Sequence, residues 1–201
     1  MIKAVIFDIG NVLTDFAWQE MYREKGLGGE TFDRVAKATV QSPYWCELDR
    51  GVMSFEEVMD KFVSLDKEMG NEIRRVLADT HGIVTGRAYA TPWVCALKNQ
   101  GFKVYVLSNF SEKIWKDCKD ALEFFEYTDG GIISYQEHLI KPDPAIYNLL
   151  LERYGLKAEE CVFIDDLQEN IDAAKKQGIY GIVFQNYGQA MAELKELLIN
   201  L

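Results

Sequence analysis

The sequence has few of the features that mark membrane-spanning, fibrous or histidine-ligated proteins. It contains four prolines and two histidines in 201 residues. No apolar stretch reaches the roughly 18 residues needed to span a bilayer, and acidic residues precede any long apolar run at the N-terminus. We therefore predict no transmembrane helix, secretory signal, proline-rich linker or histidine metal site.

Cysteine is also scarce, and no Cys-x-x-Cys pair occurs. The four cysteines are Cys46, Cys95, Cys118 and Cys161. Their wide separation favours reduced thiols, so we expect a cytoplasmic protein. The share of hydrophobic residues, 48%, and of charged residues, 27%, is typical of a globular chain.

Positive charge is in deficit, since the formal net charge is -10. Such a charge repels nucleic acid and anionic membranes, and neither is expected as a partner. A small phosphate ester can still bind where local groups overcome the overall field. The chain is long enough for one sizeable core that carries a smaller inserted domain.

Short apolar runs alternate with segments of helical periodicity. The runs, each typical of a buried strand, occupy residues 3–8, 103–108, 131–135, 161–165 and 181–185. The helical segments occupy residues 89–99, 113–125, 144–154, 168–177 and 189–198. This alternation predicts an α/β fold, in which right-handed crossovers build a doubly wound parallel sheet.

One long segment interrupts the alternation directly after the first strand. Residues 16–86 are helical and charged in pattern, with no convincing strand. We interpret this segment as an inserted helical cap domain. Residues 1–15 and 87–201 would then form the α/β core domain.

Polar residues stand at the carboxyl ends of the predicted strands, where open α/β sheets bind their ligands. They are Asp8, Ser108, Asn109, Lys141, Asp165 and Asp166. Alone, each is typical of a cap, a turn or a surface charge. Together the three aspartates would repel one another unless a cation neutralises them, and Mg²⁺ suits such hard oxygen ligands. Asp8 would then attack a phosphate held by Ser108 and Asn109, with Lys141 offsetting the charge.

Four motifs resemble those of the haloacid dehalogenase-like (HAD) superfamily, in order and spacing. They are DIGNVL at 8–13, LSN at 107–109, KPD at 141–143 and IDDLQEN at 164–170. The opening motif is similar to that of sugar-phosphate phosphatases, including α-glucose-1-phosphate phosphatases. The resemblance implies a Rossmann-like core with a helical cap and a phosphatase activity that uses an aspartyl-phosphate.

The resemblance also implies a role for each matching residue. The Mg²⁺ ligands would be Asp8, the carbonyl of Gly10, Asp165 and Asp166. Asp8 would also be the nucleophile, Ser108 and Asn109 would hold the phosphate, and Lys141 would bridge the phosphate and Asp8. Asn170 would support the metal ligands.

This sequence departs from the family pattern at Gly10, where phosphatases usually have a second aspartate as general acid and base. Such a group typically contributes about 10²–10⁴-fold to rate. The enzyme could therefore be slow, could prefer good leaving groups, or could use another acid such as Asp15. In the cap, the segment from 43 to 51 supplies Trp45 and Arg50 as candidate substrate contacts, and packing within the cap is an equally good interpretation of Trp45.

Two alternatives to a phosphatase remain open at this stage. A 2-haloacid dehalogenase would use the same aspartate on carbon without a metal, although the Asp165–Asp166 pair argues against a metal-free site. A non-catalytic binding or regulatory protein would explain the missing acid at Gly10. Simple phosphate binding, however, does not require Asp8.

Overall fold

The computed structural model describes residues 1–200, which form seven strands. The strands are β1 (Ala4–Phe7), β2 (Thr14–Phe16), β3 (Val84–Gly86), β4 (Lys103–Ser108), β5 (Gly131–Ile133), β6 (Cys161–Asp165) and β7 (Tyr180–Val183). Five of them form a parallel sheet in the order β5-β4-β1-β6-β7. The predicted parallel α/β sheet is therefore confirmed, with each of the five predicted runs contributing one strand.

Helices fill the connections between the strands. They are α1 (Trp18–Glu24), α2 (Gly29–Ala38), α3 (Trp45–Arg50), α4 (Phe55–Leu65), α5 (Gly70–Leu77), α6 (Ala90–Asn99), α7 (Glu112–Asp117), α8 (Ser134–Glu137), α9 (Pro144–Tyr154), α10 (Gln168–Lys176) and α11 (Tyr187–Asn200). No helix in the described residues is long and apolar enough to cross a bilayer.

Apolar side chains cover both faces of the sheet, as its central strands require. On one face, Phe7 packs against Trp93 of α6, with their ring centroids 4.6 Å apart. On the other face, Phe163 packs against Tyr147 of α9, with their centroids 6.0 Å apart. The two faces form separate hydrophobic clusters, so each layer of helices has its own core.

Helices α1–α5 form a helical insertion between β2 and β3. It is stabilised by its own apolar contacts, which include the fully buried Val58, Phe62 and Val76. At its base β2 and β3 pair antiparallel, with Asp15 opposite Thr85. The expectation of no strand within residues 16–86 is therefore wrong at β3, because three residues are too few to show an alternating pattern.

Two predicted elements end earlier than expected. The single helix predicted over 113–125 divides into α7 and a 3₁₀ segment, Lys119–Tyr127, with Cys118 between them. The strand predicted over 131–135 ends at Ile133, because Ser134 starts α8. The second change directs the chain after β5 towards the helical insertion.

Candidate active site

Asp8 lies immediately after β1, in the centre of the sheet. Its backbone N–H donates to the carbonyl of Ile164 in β6, at 2.9 Å, which extends the ladder by one residue. Its carboxylate Oδ1 accepts hydrogen bonds from Ser108 Oγ at 2.6 Å and from the N–H of Ile9 at 2.7 Å. The central strand thus presents one carboxylate at the sheet edge, held by donors on one of its oxygens.

Lys141 forms ion pairs with Asp8 at the end of β1 and with Asp165 at the end of β6. Its ammonium group lies 2.9 Å from Asp8 Oδ1 and 2.6 Å from Asp165 Oδ2. The side chain of Lys141 is 1% exposed, so both ion pairs are shielded from water. The two carboxylates hold the pKa of this lysine well above its ordinary value, against the effect of burial.

Asp165 ends β6 and is fully buried. The side-chain amide of Asn170 donates to both of its carboxylate oxygens at 3.0 Å, and the N–H of Leu167 donates to Oδ1 at 2.8 Å. Asn170 belongs to the first turn of α10, so the helix start fixes the carboxylate. The support of the metal ligands that the resemblance implies for Asn170 stays a prediction.

Asp166 lies at the rim of the same cluster and is only partly buried. Its Oδ2 accepts a hydrogen bond from the side chain of Asn11 at 3.0 Å. One oxygen from each of Asp8, Asp165 and Asp166 lies within 4.8 Å of the others. Three carboxylates this close, with Lys141 supplying one positive charge, leave a negative excess that a hard divalent cation would neutralise. The donor set therefore fits Mg²⁺.

Asn109 is tied to the backbone of the lysine rather than pointing freely into solvent. Its side chain donates to the carbonyl of Lys141 at 3.0 Å and accepts from the N–H of Lys141 at 2.7 Å. The pair fixes the loop that carries the lysine. Ser108 is 1% exposed and its hydroxyl already donates to Asp8, so a contact of Ser108 or Asn109 with a phosphate stays a prediction.

Burial governs the ionisation of Asp8. Removal from water and the charge of Asp165 raise its pKa to about 7, although Lys141 and Ser108 act in the opposite direction. Without a cation, this environment favours the protonated form of Asp8 more than water does. A bound cation would favour the carboxylate form that a nucleophile needs.

The aspartates open into a cleft of about 260 Å³ between the sheet edge and the helical insertion. Its walls combine polar groups with apolar side chains, among them Phe16, Trp45 and Phe110. Trp45 lines the cleft from α3 and also stacks on Phe62 within the insertion, so its contact with a substrate stays a prediction. Arg50 is not among the lining residues of the described chain; its guanidinium lies 3.7 Å from Glu47.

Gly10, from the first motif, and Asp15, the alternative acid, have different surroundings. Gly10 lines the cleft, and a Cβ added there would meet nothing within 4 Å. Asp15 faces away, and its Oδ1 accepts from Arg87 Nη2 at 2.6 Å and from Arg87 Nε at 2.8 Å. A carboxylate so paired, and 52% exposed, is poorly placed to serve the cleft.

One lining residue, Asp49, was missed by the sequence analysis. Asp49 lies on α3 four residues after Trp45, so the two share a helix face, whereas Arg50 points about 100° away. The helical spacing was the available signal. It was overlooked because an arginine is the more familiar phosphate ligand.

Known proteins resemble this chain along nearly its whole length. The family model of haloacid dehalogenase-like hydrolases matches residues 2–178. A sesquiterpene phosphatase of Aspergillus oryzae is 28% identical over 98% of this chain and 96% of its own length. A phosphorylated carbohydrates phosphatase of Thermotoga maritima is 28% identical over 96% of this chain and 91% of its own length.

A solved structure shows the same fold. It is a HAD family enzyme of Bacteroides thetaiotaomicron in complex with magnesium and inorganic phosphate, with a TM-score of 0.72, 21% identity, and coverage of 94% of this chain and 99% of that one. Its match extends across both the sheet and the helical insertion. Since the family model covers most of the sequence, this chain belongs to the haloacid dehalogenase-like hydrolases and is an enzyme.

Proposed function

We propose that this hydrolase is a Mg²⁺-dependent phosphatase that acts on a small phosphorylated metabolite through an aspartyl-phosphate at Asp8. The observation that carries the proposal is the convergence of Asp8, Lys141, Asp165 and Asp166 at one sheet edge. A dehalogenase acting on carbon has no need of this carboxylate cluster. The phosphatases among the full-length relatives support the same choice.

The residues divide the chemistry between them. Asp8, Asp165, Asp166 and the carbonyl of Gly10 would hold Mg²⁺. When bound, the ion would offset negative charge on the phosphate and the carboxylates. The free Asp8 oxygen attacks phosphorus, while Lys141 and Ser108, which contact the other oxygen, keep the carboxylate oriented.

We further propose that the helical insertion is a cap domain, with residues 16–86 as its limits. Its helix α3 contributes Trp45 to the cleft that Asp8 and Asp166 also line. A sugar ring could stack on this indole, and for that reason we propose a sugar phosphate as the substrate. The likeness to the carbohydrate phosphatase of Thermotoga maritima points the same way. The role of Arg50 as a substrate contact stays a prediction.

The partner and the location follow from the composition. With a net charge of -10, the proposed partner is a small phosphate ester and not a nucleic acid. We propose a cytoplasmic location because the four cysteines are widely spaced and are all free thiols.

Phosphate release from a panel of phosphorylated metabolites tests the proposal. The panel should include hexose phosphates and a prenyl monophosphate, each assayed with Mg²⁺, with excess EDTA, and with Mg²⁺ restored. We expect release from a hexose phosphate that stops on chelation and returns with the ion. Full activity in EDTA, or chloride release from 2-chloropropionate that EDTA does not affect, would contradict it. Preference for the prenyl ester would replace the sugar as substrate.

A further inference from the structure

The cleft contains a carboxyl group that the proposed chemistry has not yet used. We propose that Asp49 is the general acid and base of the reaction, supplied by α3 in place of the aspartate absent at position 10. This inference rests on the proposed phosphatase function. It assigns a catalytic residue to the helical insertion, where the nucleophile motif itself has only Gly10.

Asp49 reaches the cleft from α3 of the helical insertion, whereas Asp8 and Lys141 reach it from the sheet edge. It lines the same cleft as Asp8 and Lys141, and the charges of both residues shift the pKa of its carboxylate. A substrate phosphate bound between Asp8 and α3 would direct its leaving oxygen away from Asp8, because attack and departure are roughly in line. The leaving oxygen would therefore point towards Asp49.

Three contacts with the core fix the carboxyl end of α3. Ser134 Oγ donates to the carbonyl of Asp49 at 2.5 Å, and His138 Nδ1–H donates to the carbonyl of Arg50 at 3.1 Å. Gly51 packs so closely that an added Cβ would lie 2.6 Å from the carbonyl oxygen of Tyr135. The segment that carries Asp49 is therefore held against α8, and catalytic groups require this kind of rigid placement.

The other carboxylates near the cleft already have partners. Asp15 is paired with Arg87, Asp165 with Lys141 and Asn170, and Asp166 with Asn11. In the described part of the chain, no hydrogen bond or salt bridge engages the carboxylate oxygens of Asp49, which leaves them available to a substrate.

The environment of Asp49 favours a group that exchanges protons near neutral pH. Removal from water and the negative charge of Asp8 raise its pKa to about 7, whereas Lys141 opposes the rise. General acids and bases are most effective when their pKa lies close to the operating pH. This property supports the role that the geometry assigns.

The proton balance closes over the two half-reactions. As the Asp8 oxygen bonds to phosphorus, the bond from phosphorus to the ester oxygen breaks, and the Asp49 carboxyl gives its proton to that oxygen. A water molecule then attacks phosphorus while the Asp49 carboxylate accepts a proton from it. The bond between Asp8 and phosphorus breaks, inorganic phosphate leaves, and both aspartates return to their starting states.

The test is the dependence of kcat/KM on leaving-group basicity in the full-length enzyme with Mg²⁺. For Asp49→Asn we expect a loss of about 10²–10⁴-fold on alkyl phosphates and a far smaller loss on p-nitrophenyl phosphate, whose leaving group needs no proton. We also expect a burst of p-nitrophenol, because hydrolysis of the aspartyl-phosphate loses its base. Equal losses on both esters would indicate a structural role and overturn the inference, as would no loss at all.

Two further variants separate chemistry from structure. Glu47→Gln also replaces a carboxylate with an amide on α3, but outside the cleft. It should keep the wild-type dependence of kcat/KM on leaving-group basicity. Gly10→Asp has open space and a backbone that is not left-handed, so in the Asp49→Asn background it should restore activity on alkyl phosphates. The assignment would be contradicted if Gly10→Asp alone is fully active and the double variant, Gly10→Asp with Asp49→Asn, is as slow as Asp49→Asn. If wild type hydrolyses no phosphate ester, the proposed function fails too; if only the Asp49→Asn profile is unchanged, the inference alone fails.

Discussion

The buried carboxylate of Asp8 affects stability as well as reactivity. An aspartate in an unfolded chain titrates near pH 4, whereas burial raises the pKa of Asp8 to about 7 in the folded, metal-free protein. Between these values the folded state keeps a proton that the unfolded state has lost. The free energy of unfolding contributed by Asp8 therefore falls as pH rises from about 4 to about 7.

The Asp8→Asn variant isolates this contribution, because asparagine does not titrate. In EDTA, we expect the stability of the variant relative to wild type to rise between pH 5 and pH 7 and to level off above that range. Both proteins should also carry Asp49→Asn, because the pKa of Asp49 depends in part on the charge of Asp8 and its contribution would not cancel in the difference. Denaturant unfolding at several pH values gives the measurement. A difference that is constant or falls with pH would contradict the account.

Single residues at strand ends were predictable from the sequence, and some of their partners were not. Asp8, Lys141 and Asp165 follow apolar strands or their connections, and parallel strands bring such residues to one edge. The pairing of Asn11 with Asp166 depends on a left-handed backbone at Asn11, with φ of 55°, which no periodic pattern reveals. Asp49 was hidden for another reason, since its position depends on how the insertion packs on the core.

The carboxyl end of helix α3 connects the helical insertion to the core next to the cleft. Gly51 ends this helix with a φ of 67°, a left-handed conformation that glycine adopts without steric cost. Its contact with Tyr135 brings α3 onto α8, which begins where β5 ends early. The shortened strand is therefore part of the reason that Asp49 reaches the cleft.

A matched pair of glycine substitutions tests this arrangement. Gly51→Ala and Gly155→Ala each place a side chain at a left-handed helix end, with φ of 67° and 61°. Both should lose about 1 kcal/mol of stability from the backbone conformation alone. Only Gly51→Ala should lose more and also lower kcat on alkyl phosphates, because only its Cβ would collide with Tyr135 and displace Asp49. Equal kcat values for the two variants would contradict a positioning role.

Elements with strong periodicity were the predictable ones. Helix α9 matches its predicted bounds, 144–154, because Asp143 caps it and Gly155 ends it. The pattern over 113–125 predicts one helix, yet the α-helix is interrupted at Cys118. The buried thiol of Cys118 contacts the carbonyl of Thr80. Such a tertiary contact leaves no local signature. The short strand β3 was missed because three residues are too few to show an alternating pattern.

For the whole molecule, the parallel sheet decides where chemistry can occur. Four chain segments far apart in sequence meet at its carboxyl edge, and the insertion after β1 faces that edge across the cleft. The net charge of -10 makes local positive groups necessary for any phosphate to bind. Lys141, buried between two carboxylates, cannot supply this alone, so the proposed phosphate site requires a divalent cation.

The proposed phosphatase chemistry requires that Asp8 carries the phosphoryl group during turnover. Enzyme is mixed with substrate and Mg²⁺, quenched in acid and treated with borohydride. Borohydride reduces an aspartyl-phosphate to homoserine, and mass spectrometry of the peptides locates the homoserine. We predict homoserine at position 8, enriched in Asp49→Asn because its intermediate breaks down slowly, and absent from Asp8→Asn, which should release no phosphate. Two results would contradict this role of Asp8. One is phosphate release by wild type while position 8 stays unmodified in both wild type and Asp49→Asn. The other is phosphate release by Asp8→Asn at a rate comparable to that of wild type.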